Sequence, residues 1–206
     1  MLYKLTILFF FFASSALAQS EDSLLYSSKK LNRQLKIINR QFLINNKQLP
    51  DTKHGTRNNK QEIYVILFLD TECPICQKYT LKINEIDSVC RANQIFFVGV
   101  FTDKSIKKEA IEHFKNKYNL NINTWIDKKL ELAKALQAST TPEVFLIDMV
   151  GERLAYRGLI DDWFYRLGKN KPVPTVHYLL SAIDFFLKKQ EISIRKTTPV
   201  GCLIQY

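Results

Sequence analysis

The stretch Ile63-Tyr-Val-Ile-Leu-Phe-Leu69 runs through Asp70-Thr-Glu into Cys73-Pro-Ile-Cys76-Gln-Lys-Tyr79. The opening β-branched, aromatic and aliphatic residues have no polar break, which predicts a strand buried on both faces. From Pro74 to about Arg91 the apolar residues Tyr79, Ile83, Ile86 and Cys90 recur at helical spacing, which predicts a helix. The chain therefore passes from a buried strand into a helix across Asp70, Thr71 and Glu72, and two cysteines open that helix.

Working outward, Ile95-Phe-Phe-Val-Gly-Val-Phe101 reads as a second buried strand. Asp103 is the expected N-cap of a helix reaching Lys117, with Ile106, Ala110, Ile111 and Phe114 inward. Asn123 to Ile126 predicts a short strand, and Asp127 a cap for a helix from Lys128 to Gln137. Val144 to Ile147 is another strand. Asp148 to Glu152 makes a glycine turn, and Arg153 to Tyr156 returns as its hairpin partner. Val176 to Lys189 is the expected last helix. This order predicts an α/β fold: a mixed, mainly parallel central sheet flanked by helices on both faces.

The start of the chain, MLYKLTILFFFFASSALAQS, has the n-region charge, short apolar core and Ala16-Leu17-Ala18 cleavage signal of a secretory leader. Its apolar run is shorter than the roughly 20 residues that span a bilayer. The expected organisation is a signal peptide at 1–18 and a helical and linker extension at 19–60. A domain at 61–190 and a tail at 191–206 carrying Cys202 complete it. In the extension, Leu31, Leu35, Ile38 and Phe42 fit one amphipathic helix. It reads as a partner-docking helix or a spacer. No stable membrane span is expected after cleavage near Ala18, so the chain is expected to be secreted or periplasmic.

The net charge is +10. The basic residues are scattered, and no nucleic-acid motif accompanies them, so no nucleic-acid partner is expected.

Four cysteines, Cys73, Cys76, Cys90 and Cys202, allow three full pairings that sequence cannot choose among. For Cys73-Pro74-Ile75-Cys76, a haem c site would need His where Gln77 stands. A structural zinc site would need two further ligands, usually a second close pair. The remaining cysteines, with His54, His113 and His177, are scattered singly. A passive disulfide over so small a loop removes little unfolded-state entropy. A redox pair explains the placement. Cys73 lies at a helix N-terminus, where unpaired N–H groups and the macrodipole favour an anion. Such a setting lowers a thiol pKa from ~8.5 into the range ~3.5–7.5. Cys76 follows one turn later, ready to resolve a mixed disulfide, and Pro74 suits the first helical turn.

With these residues the sequence resembles the thioredoxin superfamily over about residues 62–189. The likeness rests on the strand Ile63–Leu69, the Cys73–Cys76 motif, and Thr141-Pro142 before the strand at Val144. It implies a thioredoxin-like fold, with Pro142 as the cis proline that, with Thr141, contacts the substrate backbone. Thr71-Glu72-Cys73-Pro74, Tyr156-Arg157-Gly158-Leu159-Ile160-Asp161-Asp162 and Thr198-Pro199-Val200-Gly201-Cys202 are similar to exported redoxins. Those belong to the alkyl-hydroperoxide-reductase/thiol-specific-antioxidant branch.

Two departures bear on chemistry. Peroxiredoxins carry Pro and Thr or Ser where this chain has Ile66 and Asp70. Thioredoxin has a buried acid and a Trp where this chain has Leu67 and Glu72. Asp70 and Glu72, if close, would raise the Cys73 pKa.

The expected function is an exported thiol–disulfide oxidoreductase with catalytic Cys73 and Cys76, substrate contacts at Thr141 and Pro142, and no cofactor or metal. Its partners would be protein thiols or disulfides and a thiol electron donor. A peroxiredoxin-like antioxidant peroxidase and a Cu(I) carrier using both cysteines and a histidine are the alternatives. Cys202, in a tail that reads as flexible, is open between a second resolving thiol, a metal ligand and an unpaired cysteine. Cys90 reads as core. Arg157, Asp161 and Asp162 read as a charged turn.

Overall fold

The computed structural model describes residues 31–38, 63–151 and 153–206. Residues 1–18, expected as a signal peptide, fall outside them, as do Phe42 and the expected linker.

The central sheet has five strands in the order β3-β2-β1-β5-β6. These are β1 (Ile63–Leu69), β2 (Phe96–Phe101), β3 (Thr124–Ile126), β5 (Glu143–Asp148) and β6 (Arg153–Gly158). β1 runs parallel to β2 and antiparallel to β5, and β2 runs parallel to β3. β1 is thus central, and its side chains alternate between two cores. Val65, Leu67 and Leu69 pack against α2 (Pro74–Ala92), α3 (Lys108–Lys117) and α5 (Tyr178–Leu187). Tyr64, Ile66 and Phe68 join the other core with α4 (Glu131–Leu136). A strand covered on both faces has no position for a polar side chain, which accounts for its unbroken apolar run.

The second core is completed from the extension. Residues 31–38 form helix α1, and Leu31, Leu35 and Ile38 are buried in that core. Gln34 donates a side-chain hydrogen bond to Glu131 at the start of α4. The amphipathic stripe therefore has an intramolecular partner.

Two helix starts differ from the sequence expectation. Asp103 accepts the Ser105 N–H (2.7 Å) and hydroxyl (2.8 Å) in a turn, and α3 begins only at Lys108. Asp127 does hold a helix start, though from outside it. Its two oxygens accept from the Glu131 and Ala133 N–H groups at 2.9 and 2.8 Å.

The tail is not loose. Its backbone exchanges hydrogen bonds with Arg157, Arg195 accepting at 3.0 Å and Thr197 donating at 3.1 Å. It then pairs as β9 (Cys202–Leu203) antiparallel to β4 (Thr140–Thr141), with Cys202 opposite Thr141. Ile204 is buried in the second core. Two glycines make this course possible. A Cβ at Gly201 would lie 2.1 Å from the Thr141 carbonyl oxygen, and one at Gly158 would lie 2.3 Å from Thr197 Oγ1. Single long-range bridges of this kind leave no periodicity in the sequence. A small hairpin, β7 (Phe164–Arg166) with β8 (Lys169–Asn170), lies outside the main sheet.

Candidate functional site

Cys73 is the N-cap residue of α2, with Pro74 in the first helical turn. Proline has no N–H to leave unpaired there, and its fixed φ suits a helix start. Cys73 is 1 % and Cys76 0 % exposed, because the helix start is pressed into the first core beneath β4 and β9.

Two other elements deliver groups to the Cys73 sulfur. The loop before β5 brings Thr141, whose carbonyl accepts from the Cys73 thiol at 3.1 Å when that thiol is protonated, and the Thr141–Pro142 peptide is cis. The tail brings Cys202, whose Sγ donates to Cys73 Sγ at 2.9 Å. Hydrogen bonds from the Cys76 side chain lower the Cys73 pKa most. Burial opposes this, and the Cys202 thiol and the backbone N–H groups of Cys76 and Cys202 lower it further. The result falls from 9.0 to about 5. Cys76 goes the other way: burial raises it well above 9.0, and the Cys73 sulfur beside it adds to the shift. Cys202 is raised to about 12 by burial and then by Cys73. One anion surrounded by protonated neighbours is the stable charge state, since each S–H donor stabilises the thiolate it faces.

The acids before the motif do not reverse this outcome. Asp70 accepts the Glu72 N–H at 2.8 Å, and its field acts on Cys76 and Cys202, raising both. All four cysteines are free. Cys90 is buried on α2 in the first core, and burial pushes its thiol to about 12.

Glu143 is a site residue that pattern reading passes over. It is 0 % exposed and follows Pro142 directly. Its Oε2 accepts from the Ser139 N–H at 2.7 Å and the Thr140 N–H at 3.3 Å, and Oε1 accepts from Arg157 at 2.9 Å. Arg157 also donates to the Gln137 carbonyl at 3.0 Å and lies over the Phe145 ring. This buried pair anchors the loop that carries Thr141. A Glu interrupting the apolar run after Pro142 was the available signal.

The charged turn reading is therefore incomplete. Arg157 braces the site loop. Asp161 accepts from the Tyr79 hydroxyl and from the Trp163 N–H, tying α2 to the segment after β6. Asp162 accepts from the Thr175 and Val176 N–H groups and from Lys171.

Ile66 lies in the second core and Asp70 accepts from the Glu72 N–H; neither side chain is the hydroxyl that would orient a peroxide. His113 is exposed on α3, and His177 is the N-cap residue of α5. Among the described residues, no group of three or more His, Cys, Asp or Glu side chains is placed to hold a metal ion.

The AhpC/TSA family matches residues 39–152, more than half of the chain. No curated protein matches. Among solved structures, an uncharacterised conserved protein from Geobacillus kaustophilus is 21 % identical with a TM-score of 0.60. The match covers 71 % of this chain and 78 % of that one. A hypothetical protein from Sinorhizobium meliloti is 22 % identical with a TM-score of 0.61, over 71 % of this chain and 80 % of its own. A secreted disulfide oxidoreductase from Mycobacterium tuberculosis is 20 % identical, with a TM-score of 0.38 over 44 % of this chain and 64 % of that one. A central mixed sheet between helical layers, a cysteine pair opening α2 and this family match over most of the sheet agree: the chain is a thioredoxin-like redoxin and belongs to the AhpC/TSA family.

Proposed function

We propose that the chain is an exported thiol–disulfide oxidoreductase working through Cys73 and Cys76. The observation that carries this reading is the convergence of S–H and N–H donors on the Cys73 sulfur at the start of α2. The thiolate is the reactive species in exchange, and these donors hold it ionised near neutral pH. In the reducing direction, the Cys73 thiolate attacks one sulfur of a client disulfide, and the other client sulfur leaves as a thiolate. Cys76 then attacks Cys73, the first client sulfur leaves, and the proton of Cys76 goes to one departing thiolate while solvent protonates the other. The client gains two electrons and the pair becomes a disulfide. The reverse sequence oxidises a client dithiol.

A stabilised thiolate stabilises the reduced pair, which favours oxidation of clients. Thr141 and Pro142 would align the client backbone beside Cys73 once β9 leaves the edge of β4. The expected signal peptide at 1–18 would direct the chain outside the reducing cytosol, where disulfides persist. Among the described residues no helix is long and apolar enough to cross a membrane.

Oxidation of a synthetic two-cysteine peptide by the oxidised chain tests the reading. Loss of exchange in Cys73→Ser is expected. A midpoint potential above the ~−270 mV typical of thioredoxin is also expected. Turnover that survives Cys73→Ser overturns the reading. Rapid peroxide consumption without peptide oxidation would favour the peroxidase alternative.

A further inference from the structure

The redox pair is sealed. Cys73 is 1 % and Cys76 0 % exposed, whereas Cys202 is half-buried and its neighbour Leu203 is 71 % exposed. The tail that covers the pair also brings a third sulfur to 2.9 Å from the first. Resting on the redox reading above, we propose that Cys202 is the outward-facing thiol of a three-cysteine relay, which meets the partner's sulfur and passes the disulfide on to Cys73 and Cys76.

Contacts at Thr141 and at Thr197 seat this thiol. β9 pairs antiparallel with β4, setting Cys202 opposite Thr141. Gly201 has no Cβ to collide with the Thr141 carbonyl, and Gly158 leaves room for Thr197. The Thr197 hydroxyl accepts from the Leu159 N–H and bonds the Tyr156 hydroxyl, both at 2.8 Å. The tail thus occupies the edge of Thr141 as a peptide strand would, with its cysteine at the attacking sulfur. The family match covers residues 39–152, and Cys202 lies outside it.

The relay runs as follows for a partner dithiol. In the chain oxidised at Cys73–Cys76, Cys202 gives up its proton and attacks Cys73 Sγ. The Cys73–Cys76 bond breaks, and Cys76 leaves and takes up a proton. The chain now holds a Cys73–Cys202 disulfide, with one of its sulfurs near the surface. A partner thiolate attacks Cys202 Sγ, and Cys73 leaves as a thiolate. The partner's second thiol attacks the partner sulfur bound to Cys202, forming the partner disulfide. Cys202 leaves and is protonated. The partner loses two electrons and two protons; the Cys73–Cys76 pair gains both electrons and one proton, on Cys76, and the second proton goes to solvent because Cys73 remains a thiolate. Position decides each attack. Cys202 Sγ lies against Cys73 Sγ, so it attacks there. In the Cys73–Cys202 disulfide, Cys202 is half-buried and Cys73 is 1 % exposed, so the partner attacks Cys202, and Cys73, whose thiolate is stabilised, is the better leaving group.

The full chain tests this in two experiments. First, Cys76→Ser is oxidised with oxidised glutathione and peptide-mapped. A Cys73–Cys202 disulfide is expected, and a single-cysteine peptide added next should be trapped on Cys202. Glutathione on Cys73 beside a free Cys202 thiol, or trapping on Cys73, overturns the relay. Second, the oxidised wild-type chain and Cys202→Ser, which keeps a hydrogen-bond donor facing Cys73, are compared in oxidising a two-cysteine peptide. At least tenfold slowing is expected. An equal or faster rate overturns the relay and makes the tail a cover. If Cys202→Ser is unimpaired while Cys73→Ser is dead, only the relay fails. If Cys73→Ser still turns over, the redox reading itself fails.

Discussion

Cys73 and Cys90 ride on the same helix, and both are essentially closed to solvent. Their thiols nevertheless move in opposite directions, Cys73 to about 5 and Cys90 to about 12. Burial raises both. The difference is the company each keeps. The first turn of α2 presents unpaired N–H groups, and β9 brings further donors to it through the thiol and N–H of Cys202. Four turns on, the helix has used its own N–H groups, and Cys90 meets apolar side chains, with Asp87 the charge that acts on it. Depth alone therefore does not make a thiol inert. What decides is whether donors are buried with it.

The largest blow to this contrast should come from the brace behind the site rather than from a cysteine. Arg157→Met leaves the Glu143 carboxylate buried beside Ser139 and Thr140 without its cation. Removing one partner of a buried pair costs about 3–5 kcal/mol, to be read as a lower urea midpoint. A loss below about 1 kcal/mol would mean that the N–H groups of Ser139 and Thr140 suffice to hold Glu143.

Next, Cys76→Ala removes the donor that lowers Cys73 most. Ultraviolet thiolate absorbance should titrate near pH 5 in the wild-type chain and distinctly higher in the variant, while Cys90 stays protonated to about pH 12. An unmoved midpoint would assign the shift to the Cys202 thiol and the backbone N–H groups instead. The two thiols also link to stability with opposite signs. Cys73 has a folded pKa below its ordinary 9.0, so its contribution is complete above pH ~9 and is lost as pH falls through about 5. Cys90 has a raised pKa, so its contribution is complete below pH ~9 and is lost as pH rises through about 12.

Gly201→Ala sets a Cβ against the Thr141 carbonyl, and the tail must lift. Overpacking of this kind costs about 1–3 kcal/mol. The Cys73 titration should rise as the Cys202 donor withdraws. An unchanged titration and stability would show that β9 is not held against β4 in solution.

The smallest effect belongs to Cys90→Ala. It should cost about 1 kcal/mol, the common value for a point substitution, and leave peptide oxidation unaltered. Slowed exchange there would break the contrast between the two ends of α2.

The local part of this architecture was readable from the chain. β1, β2, α2 and β5 stand within a residue or two of their expected bounds, because an unbroken apolar run or a regular stripe reports burial directly. The junction at Cys73 was readable for the same reason, since a helix N-terminus favours an anion whatever surrounds it. Asp103 misled, because the same Asx hydrogen bonds serve a turn and a cap. The turn won here, and α3 starts later. Glu143 was obscured because a lone acid in a strand does not name its cation, and Arg157 is a strand away.

Sequence by itself determined the alternation of strand and helix and put two sulfurs one turn apart at a helix start, since both follow from spacing of a few residues. Only the tertiary structure decided that α1 closes the second core, that Arg157 braces the loop of Thr141, and that Cys202 comes to 2.9 Å from Cys73. Those contacts join residues far apart in the chain through single bridges and glycine clearances. No periodic pattern encodes such meetings; they exist only once the sheet has brought its edges together.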